Sequence, residues 1–92
     1  MPTIINRLIV TGEPREFERL LGRITEYMSS QPGFIDHQLY RSIRRPDVYI
    51  ELARWKDAES HQRAIASEGF KERVREISAV ATAEPDIFEP LS

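Results

Sequence analysis

Four side chains in this sequence have the chemistry needed to bind and activate a small molecule. Asn6 is a polar amide inside the apolar run IINRLIV, Glu51 and Trp55 lie close together in YIELARW, and His61 follows shortly afterwards. An amide N–H can stabilise developing negative charge, whereas a histidine, or a carboxyl with a raised pKa, can accept a proton near neutral pH. The set therefore suggests acid–base chemistry on an apolar substrate.

Each of these residues also has an ordinary structural interpretation. Asn6 can be a core amide bonded to backbone, and Trp55 can simply fill the core. His61 can be structural, and Glu51 can be a solvated charge. Taken together these residues favour a cavity, because Glu51, Ala53 and Trp55 alternate onto one strand face and the small Ala53 leaves space beside them. An apolar cavity with a few placed polar groups is typical of a small-molecule site.

Seven elements can be predicted around these residues from periodicity and turn signals. They are a strand at Thr3–Thr11, a helix from Pro14 that ends before Pro32 and Gly33, strands at Phe34–Ser42 and Asp47–Trp55, a short helix from the N-cap Asp57 to about Ala66, a helix capped by Ser67, and a short strand at Pro85–Pro90. The order βαββααβ predicts an α+β ferredoxin-like plait with a four-stranded antiparallel sheet.

Both faces of the first predicted strand are partly apolar. Asn6 and Leu8 point to one side, which the helices would cover, whereas Ile5 and Ile9 point to the other. Because the helices cover only one face, we expect a homodimer in which sheet packs on sheet. A monomer with some exposed aliphatic side chains is the alternative, since isolated exposed apolar residues are common.

Composition excludes several classes of function. The 92 residues predict one domain, 1–92, and a net charge of −2 argues against nucleic acid. Without cysteine, thiolate catalysis and cysteine-ligated metals are excluded, and the two histidines, His37 and His61, lack a metal-ligand spacing. His37 is interpreted as a surface residue. No segment resembles a membrane span or a signal peptide, so we expect no membrane partner and a cytoplasmic location.

Three segments carry a resemblance to a known family: NRLIVTGEPREFE, QPGFIDHQLYRS and ARWKDAESHQRAIASEGF. In them the chain resembles the antibiotic biosynthesis monooxygenase family of the dimeric α/β-barrel superfamily, over nearly its whole length. It is most similar to the cofactor-independent anthrone oxygenases of aromatic polyketide pathways, of the nogalamycin, tetracenomycin and actinorhodin type. This resemblance implies oxidation of an anthrone to a quinone with O2 and with no haem, flavin or metal.

The resemblance also assigns roles to individual residues. The catalytic asparagine of the family falls on Asn6 and its tryptophan on Trp55. His61 stands where actinorhodin-type relatives have a tyrosine, Arg75 matches their arginine, and Glu51 replaces a pocket asparagine. His61 or Glu51 would accept the first proton, and His61 is preferred because its ordinary pKa lies near neutrality. Arg75 would neutralise a substrate anion or, alternatively, be a solvated partner of neighbouring glutamates.

Other functions of the same superfamily remain open at this stage. A haem-degrading branch shares the asparagine and the tryptophan but needs an axial histidine, and the corresponding position is Val74, which cannot ligate iron. A quinol oxygenase, an isomerase of a small signalling sugar, a polyketide cyclase and a non-catalytic stress-response dimer are further alternatives, because a fold alone does not fix function.

Overall fold

The computed structural model describes residues 1–92 and contains seven elements in the predicted order βαββααβ. They are β1 (Thr3–Val10), α1 (Pro14–Ser29), β2 (Phe34–Arg41), β3 (Val48–Trp55), α2 (Ala58–Ile65), α3 (Glu68–Ile77) and β4 (Ala81–Phe88). The strands form one antiparallel sheet in the order β2-β3-β1-β4. The predicted ferredoxin-like α+β fold is therefore confirmed. No helix combines the length and apolarity that crossing a membrane requires.

The helices begin where side chains can satisfy their free N–H groups. The Glu13 carboxylate accepts from the N–H groups of Arg15 and Glu16 at the start of α1, next to Pro14. Asp57 caps α2 and Ser67 caps α3, both as predicted. Because such caps replace missing backbone partners, they fix where each helix starts on the sheet.

The turn before β2 requires a glycine. Gly33 has φ +91°, in the left-handed region, and a Cβ placed on it would collide with the side chain of Ser60 in α2. A residue with a side chain would meet both the conformational strain and the collision. Gly33 therefore allows the start of β2 to lie directly against α2.

The prediction for the last strand was wrong in its extent. β4 begins at Ala81, four residues before the predicted start at Pro85, and ends at Phe88 rather than Pro90. Pro85 lies inside the strand and pairs with Asn6 of β1. Proline is tolerated there because β4 is an edge strand, whose outward N–H positions need no partner. The alanines of this segment have low strand propensity, which pairing with β1 overrides.

The core is small and consists of two clusters. Only 13 of 92 residues are buried. One cluster joins α1 to the sheet and includes Phe17 and Tyr49, whose ring centroids are 4.8 Å apart. The other consists of Met28, Trp55 and Ala64. Residues of both clusters face a common space between sheet and helices, so the packing leaves a cavity there.

The sheet face away from the helices carries apolar side chains, as predicted. Ile5 and Ile9 of β1 are half-buried in the single chain. Tyr40 and Phe88 share this face by strand register and are 52% and 45% exposed. The same face also carries polar side chains, among them the ion pair Arg7–Glu84. This face therefore has apolar surface that no element of the chain covers.

Candidate active site

The cavity has a volume of about 660 Å³ and lies between the helix-facing side of the sheet and the three helices. Most of its walls are apolar, with Leu8, Met28, Phe70 and Ile77 among the lining residues. Its volume and character match the pockets that enclose small organic ligands. The few polar side chains that reach it are therefore the candidates for chemistry.

Asn6 and Glu51 lie directly opposite each other on the neighbouring central strands β1 and β3. Both side chains line the cavity, together with Ala53, which is opposite Ile4. Directly opposed residues have Cβ atoms about 5 Å apart, so the amide and the carboxyl are neighbours. The Oδ1 atom of Asn6 is buried and accepts no hydrogen bond. The interpretation of Asn6 as a satisfied core amide therefore does not hold for its oxygen.

Glu51 is held from α1. The Thr25 hydroxyl donates a hydrogen bond of 3.1 Å to its Oε2 atom. Burial raises the pKa of Glu51, whereas this hydrogen bond and the charge of His37 lower it in part. None of the four ion pairs in the structure involves Glu51. The carboxyl is thus a proton-accepting group whose ionised form is only weakly stabilised.

Three rings form one end of the cavity. Trp55 is 1% exposed and meets Phe34 edge to face at a centroid distance of 5.4 Å. His61 of α2 also contacts Trp55 edge to face, with a centroid distance of 5.5 Å. Burial lowers the pKa of His61, because desolvation penalises the imidazolium. Burial therefore favours the neutral imidazole of His61, which is the form that can accept a proton.

Arg75 is not brought to this site. It lies exposed on α3 and does not line the cavity, whereas its neighbour Val74 does. Of the two glutamates near it on α3, Glu76 pairs instead with Arg23 of α1 at 3.0 Å. Val74 and Arg75 are rotated by about 100° from each other around the helix axis, and it is the Val74 side that faces the cavity.

Sequence reasoning missed four polar residues that line the cavity, namely Thr25, His37, Ser78 and Thr82. Thr25 follows Ile24 on α1, and its spacing of four from Leu21 was a usable signal, since such positions share a helix face. His37 was interpreted as a surface residue, and it is exposed, yet it also lines the cavity. A bulge between Phe34 and Asp36 shifts the alternation of β2, and strand spacing alone does not reveal it.

A second depression of about 690 Å³ adjoins the cavity along α1 and β2. It shares Leu21, Thr25 and His37 with the cavity and adds polar side chains, including Glu18 and Arg41. The cavity is therefore flanked by polar surface on the β2 side. No group of three or more His, Cys, Asp or Glu side chains in the structure is arranged to hold a metal ion.

Comparison with known proteins gives consistent matches. The profile of a family described as antibiotic biosynthesis monooxygenase matches residues 3–76. A deoxynogalonate monooxygenase from Streptomyces nogalater is 35% identical over 86 residues, which cover 94% of this chain and 73% of that protein. The crystal structure of SnoaB, described as a cofactor-independent oxygenase from the same organism, superposes with a TM-score of 0.95 at 33% identity, covering 99% of this chain and 93% of that one. A conserved protein from Methanosarcina mazei matches with a TM-score of 0.78 at 27% identity, covering 96% and 92%.

Proposed function

The chain belongs to the antibiotic biosynthesis monooxygenase family, and from this premise we propose that it oxidises an aromatic polyketide anthrone, or a related polycyclic phenol, to the quinone with O2. It does so as a cofactor-independent monooxygenase. The observation that carries the proposal is the convergence of Asn6, Glu51, Trp55 and His61 on one apolar cavity. A planar polycyclic ligand fits the volume and the apolar walls, and the polar groups lie where its oxygens can meet them.

The reaction needs no redox group from the protein, because the deprotonated substrate is itself the reductant. Loss of a proton from the central ring carbon gives a dienolate. The dienolate passes one electron to O2, and the two radicals recombine to form a C–O bond. The peroxide takes up a proton, the hydroperoxide loses water, and the ring carbon becomes the second quinone carbonyl. One oxygen atom thus enters the product and the other leaves as water.

The protein supplies charge stabilisation and an apolar site. Asn6 donates its amide N–H to the oxygen on which the enolate charge develops, in the manner of an oxyanion-hole donor. Trp55 donates its indole N–H to the substrate or peroxide oxygen and walls the cavity. His61 or Glu51 accepts the first proton. Ala53 leaves room for the ring system. Apolar walls strengthen these interactions, because they lower the local dielectric constant around the substrate.

Oxygen uptake by the purified protein tests the proposal directly. Metal-depleted protein without added cofactor is mixed with a series of anthrones, including dithranol, and oxygen consumption and quinone absorbance are followed. We expect acceleration of both signals in a one-to-one ratio over the uncatalysed reaction. If no anthrone is oxidised faster than in buffer, the proposed function is wrong.

Three rival functions of the same fold give different results in this assay. A polyketide cyclase would change its substrate without consuming oxygen. A non-catalytic stress-response dimer would do neither, and it has no need of an open cavity with an unpaired amide oxygen at Asn6. A quinol oxygenase would consume oxygen but prefer hydroquinones to anthrones, so the substrate series separates it from the anthrone oxidation proposed here.

We also propose that the protein acts as a homodimer through the uncovered sheet face. Ile5, Ile9 and the exposed Tyr40 and Phe88 give this face the apolar character of an interface rather than of free surface. Leu52 of β3 lies opposite Ile5 on this face, and placing a charge there, as in Leu52→Arg, should convert a dimer to a monomer in sedimentation. Arg15→Glu, on exposed α1, is the control that should leave the mass unchanged.

A further inference from the structure

Glu51 and Asn6 are neighbours in the cavity, and the proposed function does not use a contact between them. The two residues are paired across β1 and β3, and both face the cavity. The Oδ1 atom of Asn6 is buried without a donor. An unpaired buried oxygen is costly, so a donor is expected beside it when the site is in use. Glu51 is the polar side chain that the strand register places directly opposite.

The groups around Glu51 determine when its carboxyl is protonated and can donate a hydrogen bond to Oδ1 of Asn6. Its Oε2 accepts from Thr25 of α1, and β2 and α2 contribute His37 and His61 to the cavity. The lining residues from α3 and β4 are uncharged, and Arg7 and Glu84 pair on the far face of the sheet. With no cation bonded to it, the carboxyl is readily neutralised, and burial favours that neutral form.

We propose that Glu51 accepts the proton from the substrate carbon and that the neutral carboxyl then donates its O–H to Oδ1 of Asn6, which turns the Asn6 amide N–H toward the enolate oxygen. This inference rests on the proposed function and names the base in it. Proton removal and completion of the charge-stabilising site become one event. His61, the base favoured by sequence, packs instead against Trp55 at the end of the cavity.

The proton transfer balances without any added reagent. The C–H bond of the central ring carbon breaks, its electron pair stays on the substrate as the dienolate, and the proton forms the O–H bond of Glu51. After O2 has added, the same proton passes to the peroxide oxygen, and the carboxylate is restored. Thr25 acts as a positioning residue, because its hydrogen bond to Oε2 leaves Oε1 as the free oxygen.

The pH dependence of kcat/KM tests the role of Glu51. Wild type should show a rising limb with pH as the base ionises. Glu51→Gln should lower kcat about 100-fold and abolish the limb. Thr25→Val removes a donor that favours the carboxylate, so the limb should move to higher pH by about one unit, and Thr25→Ser should restore it. His61→Gln should keep the limb in place, and the exposed Glu72→Gln is the matched control.

A measurement independent of turnover tests the contact itself. Asn6 is the sole asparagine in the chain, so selective ¹⁵N-asparagine labelling gives one side-chain amide signal. In the substrate-free protein this signal should shift with pH in wild type and in His61→Gln, and it should be independent of pH in Glu51→Gln. In Thr25→Val its midpoint should move upward with the kinetic limb, which gives a second test should Glu51→Gln fold poorly.

The outcomes separate this inference from the proposed function. If anthrones are oxidised but the limb persists unchanged in Glu51→Gln, the oxygenase stands and Glu51 is not the base. If the side-chain amide signal of Asn6 does not change with pH in wild type, or still changes with pH in Glu51→Gln, the proposed contact between Glu51 and Asn6 is wrong. If no anthrone is oxidised, the proposed function fails, whatever the amide signal shows.

Discussion

The imidazole of His61 meets the indole of Trp55 edge to face, with ring centroids 5.5 Å apart and ring planes at 65°. One ring belongs to α2 and the other ends β3, so the contact joins a helix to the sheet across the end of the cavity. Phe34 holds the indole from the start of β2. The orientation of the Trp55 N–H is thereby fixed by two neighbours before any ligand arrives.

Trp55→Phe tests the indole N–H as a donor. The substitution keeps an aromatic wall but removes the donor, so we expect kcat for anthrone oxidation to fall about tenfold or more with a smaller change in KM. Steady-state oxygen uptake measures both constants, and near-ultraviolet circular dichroism checks the fold. Tyr40→Phe, which removes a polar group from an exposed ring, is the matched control. An unchanged kcat would show that the indole N–H is not used.

Asn6→Ala tests the proposed stabilisation of the enolate. Loss of one such donor typically lowers kcat on the order of 100-fold. Because the Oδ1 atom of Asn6 has no partner in the structure, removal of the side chain should cost little stability. Oxygen uptake and a thermal melt measure the two effects, with the exposed amide variant Gln62→Ala as control. A lower melting temperature with an unchanged kcat would instead indicate a structural role for Asn6.

Arg75→Ala separates the family resemblance from the observed geometry. The resemblance implies that Arg75 binds substrate, whereas the structure places it on the exposed side of α3, outside the cavity lining. We expect kcat and KM to stay within about twofold of wild type, since a solvated charge on a helix contributes little. A rise in KM of tenfold or more in the same oxygen assay would show that Arg75 does reach the substrate.

The raised pKa of Glu51 predicts a pH-dependent stability. Below its ordinary pKa both folded and unfolded chains hold the proton, so ionisation has no effect. As the pH rises, the unfolded chain releases its proton first, and the free energy of unfolding falls until the pH has passed the folded pKa. Relative to wild type, Glu51→Gln should therefore gain stability as the pH rises above the ordinary glutamate pKa of about 4, as measured in urea titrations. A difference that stays constant with pH, as expected for the exposed Glu72→Gln, would contradict this.

Alanine substitutions at Gly33 and Gly22 should have opposite effects on the stability of the protein. Gly33→Ala places a Cβ against Ser60 at φ +91°, so it should destabilise by at least about 1–2 kcal/mol. Gly22→Ala lies in an exposed part of α1 with nothing within 4 Å of the new Cβ, and it should stabilise by about 0.5–1 kcal/mol. Urea midpoints of the two variants measure the difference. Equal effects would mean that the turn at Gly33 adapts without strain.

Local sequence signals determined the order of the elements and most of their limits. Alternation in IINRLIV placed Asn6 and Leu8 on one face, and the caps Asp57 and Ser67 fixed where α2 and α3 begin. These features depend on a few neighbouring residues, so a single sequence is enough to read them. β4 was misjudged because its alanines become a strand only by pairing with β1, which no local pattern shows.

The composition of the site was only partly accessible from sequence. The strand periods and the family resemblance together singled out Asn6, Glu51, Ala53, Trp55 and His61, all of which line the cavity. Tertiary structure alone decided that Asn6 opposes Glu51, that Thr25 reaches it from a helix 26 residues away, and that Arg75 stays outside. Register and helix rotation set these distances, and both follow from the packing of elements far apart in the chain.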